Sequence, residues 1–364
     1  MIRVTKLFLT NFRNFSEQRF GFDSEAVLFV GENGVGKTNV LEGLSLLGRN
    51  GSLCSADFDE IVRIGEKNFT IYAEISGHEF IEKIAISFDA TQKKKNLLIN
   101  GEPVSPKRQS DLKNHLINFI FLTPQLEQLF ILGKSDRRDY LDKIVSDLDS
   151  SHLLRIGHYQ KLLKERLLIL QKHHDERWLK VVEEKIVELG VSIAAARIEA
   201  VDFFNKAIAS FASNFPQAKL CVSGEVEEMI AKQSAAQLEE FYKIKMKENR
   251  ERDLVSFKTE FGVHRSDFDA IFLAKNISAK LCSTGEQKAI MIGITLARAR
   301  ISSSYKNQPT IMIFDEVVSH LDAGRKKNLF TEISTTKLQT FFSATSADLI
   351  PTNVLSKMIS LSSA

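Results

Sequence analysis

The segment Gly31-Glu32-Asn33-Gly34-Val35-Gly36-Lys37-Thr38 has the residue types and spacing of a phosphate-binding loop, G-x-x-x-x-G-K-[ST]. Its glycines let backbone N–H groups turn inward and wrap phosphate oxygens. Lys37 is placed to reach the β and γ phosphates as a point charge, and Thr38 to offer its hydroxyl to Mg²⁺. A helix opening at Lys37 aims its positive end at the same anion. A glycine-rich turn that binds nothing is the competing reading, and a lysine directly after Gly36 argues against it.

More chemistry lies near the other end of the chain. Ile311–Phe314 is a short apolar strand running into Asp315-Glu316. Asp315 is assigned to the Mg²⁺ shell, and Glu316 to the base that polarises an attacking water. Alone, two acids after an apolar strand are a weak signal that a helix cap would explain. Joined to the loop at 31–38 they become a strong one. Ser283-Thr284-Gly285-Glu286-Gln287 precedes an apolar-faced helix at about 286–301, and Ser and Gly at a helix start form an anion site. It resembles the signature motif of ABC ATPases, where the serine and helix start cover the γ-phosphate held by another subunit. Ser283, Gly285 and Glu286 are therefore expected to act in trans, although a plain N-cap fits the same residues. Ser319-His320-Leu321-Asp322 has the spacing of the ABC D-loop, and Asp322 also reads as the cap of a helix at 323–335. Phe341–Thr345 ends the next strand, where ABC proteins often carry a switch histidine. None stands here, which leaves Ser343 or Thr345 as candidates for a γ-phosphate contact.

About 245 residues separate Thr38 from Ser283, so the chain must fold back to assemble one site. With 364 residues and a 43 % apolar fraction, two domains with a sizeable core are expected. Residues 2–10 and 26–30 read as strands, the second buried on both faces. Residues 68–76, 80–88 and Asn96–Ile99 read as an antiparallel sheet, with turns at Gly77-His78 and Asn100-Gly101. Helical spacing covers 135–149, 152–172, 176–214 and 234–251. The two long helices give arms of only about 20 to 40 residues, too short for the sustained heptads of chromosome-organising ATPases. The expected fold is α/β, an ABC-type P-loop ATPase head with an inserted, mainly helical lobe. Residues 1–110 and 253–364 form the head, and 111–252 the lobe.

Net charge is only +3, so DNA binding would have to use local basic patches. Candidates are Lys93–Lys95, Lys107-Arg108, Lys134 with Arg137-Arg138, and Lys243, Lys245, Lys247 with Arg250 and Arg252, each of which also reads as a solvated face. Three scattered cysteines make a disulfide framework or zinc site unfavourable. His173-His174 project about 100° apart on a helix and chelate poorly. With no secretory core and no membrane-length apolar run, a cytoplasmic protein is expected.

Further segments carry a closer resemblance. Leu9-Thr10-Asn11-Phe12-Arg13-Asn14-Phe15 is similar to the L-x-N-F-R-N strand exit of the RecF family. Asp136–Asp142 resembles its R-R-x-x-L-D helix start, Phe261–Asp267 its G-P-H-R-D-D segment, and Glu316–Asp322 its D-E-x-x-x-H-L-D text. Val263 replaces the family's proline, which would loosen that turn. Ser266 replaces an aspartate, which puts a charge-dependent role in doubt. The resemblance implies that Arg13 approaches the phosphates, and Gln125, after Pro124, is a candidate for an ABC Q-loop glutamine or an ordinary helix start. It further implies an ATP- and Mg²⁺-dependent homodimer on double-stranded DNA near single-stranded gaps. Such a dimer would hydrolyse ATP slowly and work with RecR and RecO to promote RecA loading. Alternatives are an ATP-latched binding platform with negligible hydrolysis, or another short-armed DNA-repair ATPase. A nuclease relative would need an acid-rich extra domain for which this chain has no room.

Overall fold

The computed structural model describes all residues except 1, 49–52, 54–56, 78–80, 106–116, 173–174, 231, 305–308, 347–356 and 363–364. Of Ser319 and His320 it describes only the backbone. The expected turn at His78, the pair His173-His174 and the patch Lys107-Arg108 lie outside the described residues.

Fourteen strands are described: β1 (Arg3–Phe12), β2 (Phe15–Gly21), β3 (Ala26–Val30), β4 (Asn68–Ser76), β5 (Ile81–Asp89), β6 (Lys94–Ile99), β7 (Glu102–Pro103), β8 (Asn118–Leu122), β9 (Ala218–Ser223), β10 (Asp267–Phe272), β11 (Ile277–Ser278), β12 (Thr310–Asp315), β13 (Thr340–Ala344) and β14 (Lys357–Ser360). They fall into two compact units. The first comprises Met1–Glu127, Ser213–Phe215 and Met291–Ala364; the second, Gln128–Ala212 and Pro216–Ile290.

The first unit contains a parallel sheet ordered β14-β3-β13-β12-β8 and an antiparallel sheet ordered β2-β1-β4-β5-β6-β7. β8, β12 and β13 are buried along their whole length, as expected where both faces of a parallel sheet are covered. β4 instead alternates: Phe69, Ile71, Ala73 and Ile75 point inward and the intervening residues do not. One apolar cluster joins that inward face and Leu7 and Leu9 of β1 to Val40, Leu41 and Leu44 of helix Lys37–Ser45 and to Val27, Phe29, Ile311 and Phe341 of the parallel sheet.

In the second unit, helices Lys134–Leu148, His152–Gln171, Glu176–Ser210 and Ala235–Glu248 accompany a small sheet ordered β11-β10-β9. Asp175 starts the longest helix by accepting the N–H groups of Arg177 and Trp178. Tyr159, Ile186, Ile193, Leu238, Tyr242 and Phe261 belong to its apolar core.

These units differ from the boundaries expected at 110/111 and 252/253. Asn118–Leu122 goes with the first unit because β8 pairs with β12. Residues 253–290 go with the second because β10 pairs with β9. Strand pairing across the sequence, not the change from strand text to helix text, sets the division.

Candidate nucleotide site

β3 delivers the chain to Gly31, the loop follows, and helix Lys37–Ser45 begins directly after Gly36. Two glycines are dictated by geometry. Gly36 sits at φ 104°, and a Cβ there would lie 2.6 Å from Phe15 and 2.8 Å from Asn14. Gly31 passes against the chain end, where a Cβ would meet the Leu361 carbonyl oxygen at 2.6 Å. Gly34 is also left-handed, at φ 89°, with open space around it. Glu32 and Asn33 lie exposed along the loop, whereas Val35 is buried. The Lys37 ammonium, only 4 % exposed, donates to the carbonyls of Gly31 and Glu32, each at 2.8 Å.

The far half of the motif arrives on β12. In sheet order β13 lies between β3 and β12, so the loop and Asp315 stand at the same carboxyl edge of the sheet, one strand apart. That edge is where open α/β sheets hold ligands. Thr38 Oγ1 donates to the Asp315 carboxylate, 3.1 Å from Oδ2 and 3.2 Å from Oδ1. The contact spans 277 residues of sequence. Burial pushes the Asp315 carboxyl above the ordinary range; hydrogen bonds from Ser343 and Thr38 oppose this, and the charge of Glu316 adds to it. Glu316 follows in the left-handed region at φ 54°.

Thr38 and Asp315 together offer hydroxyl and carboxylate oxygen, the donor type Mg²⁺ takes when substrate phosphates complete its shell. Among the described residues no group of three or more His, Cys, Asp or Glu is arranged to hold a metal. The oxygen pair at the end of the phosphate loop fits a metal that arrives with a nucleotide, not one caged by protein.

Ser343 is not directed at a phosphate. β12 and β13 pair in parallel with Asp315 opposite Ser343. Fully buried, Ser343 donates through Oγ to Asp315 Oδ1 at 2.5 Å and accepts the Glu316 backbone N–H at 2.9 Å. Arg13 is placed differently from its expected approach to phosphate. Its guanidinium makes two bonds to the Glu42 carboxylate, at 2.7 and 2.8 Å, and another to the Glu60 carbonyl. Glu42, 1 % exposed, lies on the helix that follows the loop, so Arg13 clamps that helix from the β1–β2 turn. Asn11 and Arg13 make this turn possible by adopting φ of 51° and 53°. Asn14 was named only as part of a motif, yet it braces the loop directly. It donates to the Val35 carbonyl at 3.2 Å and accepts from Asn39 at 2.8 Å. An asparagine just before the P-loop region is no sequence signal for this; the β-turn brings it there.

Gln125 is exposed in the short helix Pro124–Glu127 that follows β8, the neighbour of β12. Asp322 caps helix Ala323–Thr336 by accepting the Arg325 N–H at 2.8 Å. In the second unit Ser283 and Glu286 form a reciprocal cap: the Ser283 N–H donates to Glu286 Oε2 at 3.0 Å, and the Glu286 N–H reaches Ser283 Oγ at 3.4 Å. Lys275 and the Ser283 hydrogen bonds hold the Glu286 carboxyl down at about 2. Ser283 and Thr284 remain exposed, Gly285 half-buried, and Leu281 is 77 % exposed beside them.

The two internal motifs meet in the second unit, and they build rather than bind. Arg137 Nε donates to Asp267 Oδ1 at 2.7 Å, and Arg138 donates to the Ser266 carbonyl at 2.9 Å. Asp142 receives Arg197 through two bonds of 2.9 Å and His152 Nε2 at 2.8 Å. Arg197 also donates to the Val263 carbonyl at 2.7 Å, and Ser266 donates to Glu227 at 2.6 Å. Val263 is buried in the apolar core, so this turn is held by packing and by Arg197. Arg137, 6 % exposed, is therefore no surface DNA contact. Arg250 is likewise engaged, by Glu183 and Glu176, and Lys245 by Glu248. Lys243 and Lys247 are exposed along a cavity of about 600 Å³ that Glu176, Glu184 and Glu240 also line.

A phosphate loop and a Mg²⁺-type acid at the same carboxyl edge of one parallel sheet, with an antiparallel sheet in the same unit, define an ABC-type P-loop ATPase head. Solved structures share this fold. The recombination mediator protein RecF-ATPrS of the RecFOR pathway superposes with a TM-score of 0.84 at 23 % identity, over 96 % of this chain and 94 % of that one. The Smc head domain of Pyrococcus furiosus gives 0.56 at 15 % identity, over 100 % and 94 %. No protein-family model matches the chain. Among curated relatives, the DNA replication and repair protein RecF of Rhizobium rhizogenes is 34 % identical over 348 residues, 94 % of this chain and 92 % of its own length. That of Rickettsia canadensis is 33 % identical over 354 residues, 96 % of each. The chain belongs to the RecF family.

Proposed function

We propose that this protein is an ATP-dependent DNA-binding protein of replication and repair, whose heads dimerise around nucleotide on double-stranded DNA near single-stranded gaps. The observation that carries the reading is the Thr38–Asp315 contact at 3.1 Å, which joins the two halves of a nucleotide site. Gly31 to Gly36 wrap the phosphates with backbone N–H groups, and Lys37 swings from its loop carbonyls to the β and γ oxygens. Bound Mg²⁺ would neutralise phosphate charge, held by Thr38 and Asp315. Glu316 orients and polarises the attacking water. The exposed helix start at Ser283, Gly285 and Glu286 serves the nucleotide of a second subunit, with Asp322 near the shared interface. Gln125 acts as the Q-loop residue. Slow, DNA-stimulated hydrolysis then reopens the dimer. Membership of a family named for DNA replication and repair supports the DNA role, as does the place of the structural relative in the RecFOR pathway. Partnership with RecR and RecO, and promotion of RecA loading, follow from the same reading.

Sedimentation with and without ATP tests it. The parent should dimerise with ATP, Ser283→Arg should stay monomeric while still binding ATP, and Glu316→Gln should form stable dimers with turnover lowered about 10²–10³-fold. A parent that stays monomeric at high concentration with ATP and DNA removes the shared-site reading. Parental turnover in Glu316→Gln would remove Glu316 as the base, whereas negligible turnover in the parent itself would favour an ATP latch.

A further inference from the structure

We infer that Ser343 is a positioning residue that couples the metal-binding acid to the water-polarising base; the inference rests on the ATPase reading above. Asp315 and Glu316 are adjacent in sequence but need opposite treatment. One carboxylate must face the metal, and the next side chain must project toward the attacking water. Along a continuing extended strand, successive side chains point to opposite faces. The chain solves this by leaving the strand at Glu316, which enters the left-handed region at φ 54°. A non-glycine residue persists there only when its surroundings over-determine it.

Ser343 supplies that determination. Parallel register sets it opposite Asp315 at the end of the neighbouring strand. Its single hydroxyl is used in both directions. The proton goes to Asp315 Oδ1 at 2.5 Å, and a lone pair receives the Glu316 N–H at 2.9 Å. Without the hydroxyl, the Glu316 amide loses the partner it has in the left-handed conformation. Asp315 would keep Thr38, at 3.1 Å, but lose its second hydroxyl donor. Ser343 is fully buried and its donor is spent on Asp315, so it acts through these two residues and not on the nucleotide. The three atoms form a chain from the Thr38–Asp315 pair to the backbone of the base.

The test uses the full-length chain with Ser343→Ala, Ser343→Thr and Glu316→Gln, and the double variant Ser343→Ala/Glu316→Gln. Ser343→Ala should lower kcat about 10- to 100-fold with KM for ATP within about twofold, since the phosphate loop is untouched. Ser343→Thr should recover most of the loss. Amide hydrogen exchange at Glu316 should quicken in Ser343→Ala and not in Ser343→Thr, a readout independent of turnover. Added to Glu316→Gln, Ser343→Ala should cost nothing further, because both act on the same step. A parental kcat in Ser343→Ala beside a dead Glu316→Gln sinks this inference alone, as does unchanged exchange at Glu316. Fully additive losses in the double variant also overturn it. Parental turnover in Glu316→Gln would bring down the assignment of the base, and this inference with it.

Discussion

Asp142→Asn should unfold the second unit far more easily than a neutral, isosteric change suggests. The side chain is 5 % exposed and makes two bonds to Arg197, which is 2 % exposed, and one to His152, which is fully buried. Burial pushes the Asp142 carboxyl up, but the hydrogen bond from His152 and the charge of Arg197 outweigh it and hold it below the ordinary range. Asparagine keeps the shape but removes the charge that Arg197 was buried against. It also turns one acceptor into a donor, and all three of the former partners are donors or ring nitrogens. Removing one member of a buried ion pair costs about 3–5 kcal/mol, because the remaining charge is stranded. Glu227, 3.4 Å from Arg197, offsets only part of that. With a urea slope of about 2 kcal/mol per molar, the midpoint should fall by roughly 1.5–2.5 M. The chain has one tryptophan, Trp178, at the start of helix Glu176–Ser210, so its fluorescence reports on the unit concerned. Replacing both partners, Asp142→Leu with Arg197→Met, should restore only part of the loss, since the Asp142–Arg197 pair is removed whole but buried Glu227 then loses the Arg197 cation. A midpoint for Asp142→Asn within about 0.3 M of the parent would refute the argument that this motif is structural.

Other consequences can be checked separately. Gly36→Ala must place a Cβ 2.6 Å from Phe15 at φ 104°, so nucleotide affinity should drop about tenfold or more, measured by titration calorimetry, while the second unit melts as in the parent. Burial raises the Asp267 carboxyl, but Arg137 and Lys280 overcome it and bring it from 3.8 to about 2. Its stabilising contribution is whole above pH 3.8 and is lost as the pH falls through about 2. Urea midpoints of the parent and Asp267→Asn should therefore converge across that window and differ above it. DNA affinity should fall steeply and linearly in log–log plots against salt, through phosphate contacts without base reading; a flat plot would exclude that mode.

The sequence by itself determined the local chemistry and much of the secondary structure. Glycines and a lysine at fixed spacing announce a phosphate loop because the loop's chemistry is contiguous. The 3.6-residue period marks Glu176–Ser210, and the two-residue period marks Asn68–Ser76, because each pattern is set by neighbours along the chain. Tertiary structure decided what depends on register between distant strands. Only pairing of β12 with β13 sets Ser343 against Asp315, and only the left-handed turn at Asn11 and Arg13 turns Arg13 onto Glu42 and Asn14 onto the loop. The same holds for Asp136–Asp142 and Phe261–Asp267. As text, Arg137-Arg138 also read as part of a basic patch for DNA; folded, Arg137 is spent on Asp267 and Asp142 on Arg197. A charged residue's role follows from whether folding buries it beside a partner. Burial and partnership come from contacts more than 100 residues apart for Arg137 and Asp267, which no local pattern encodes.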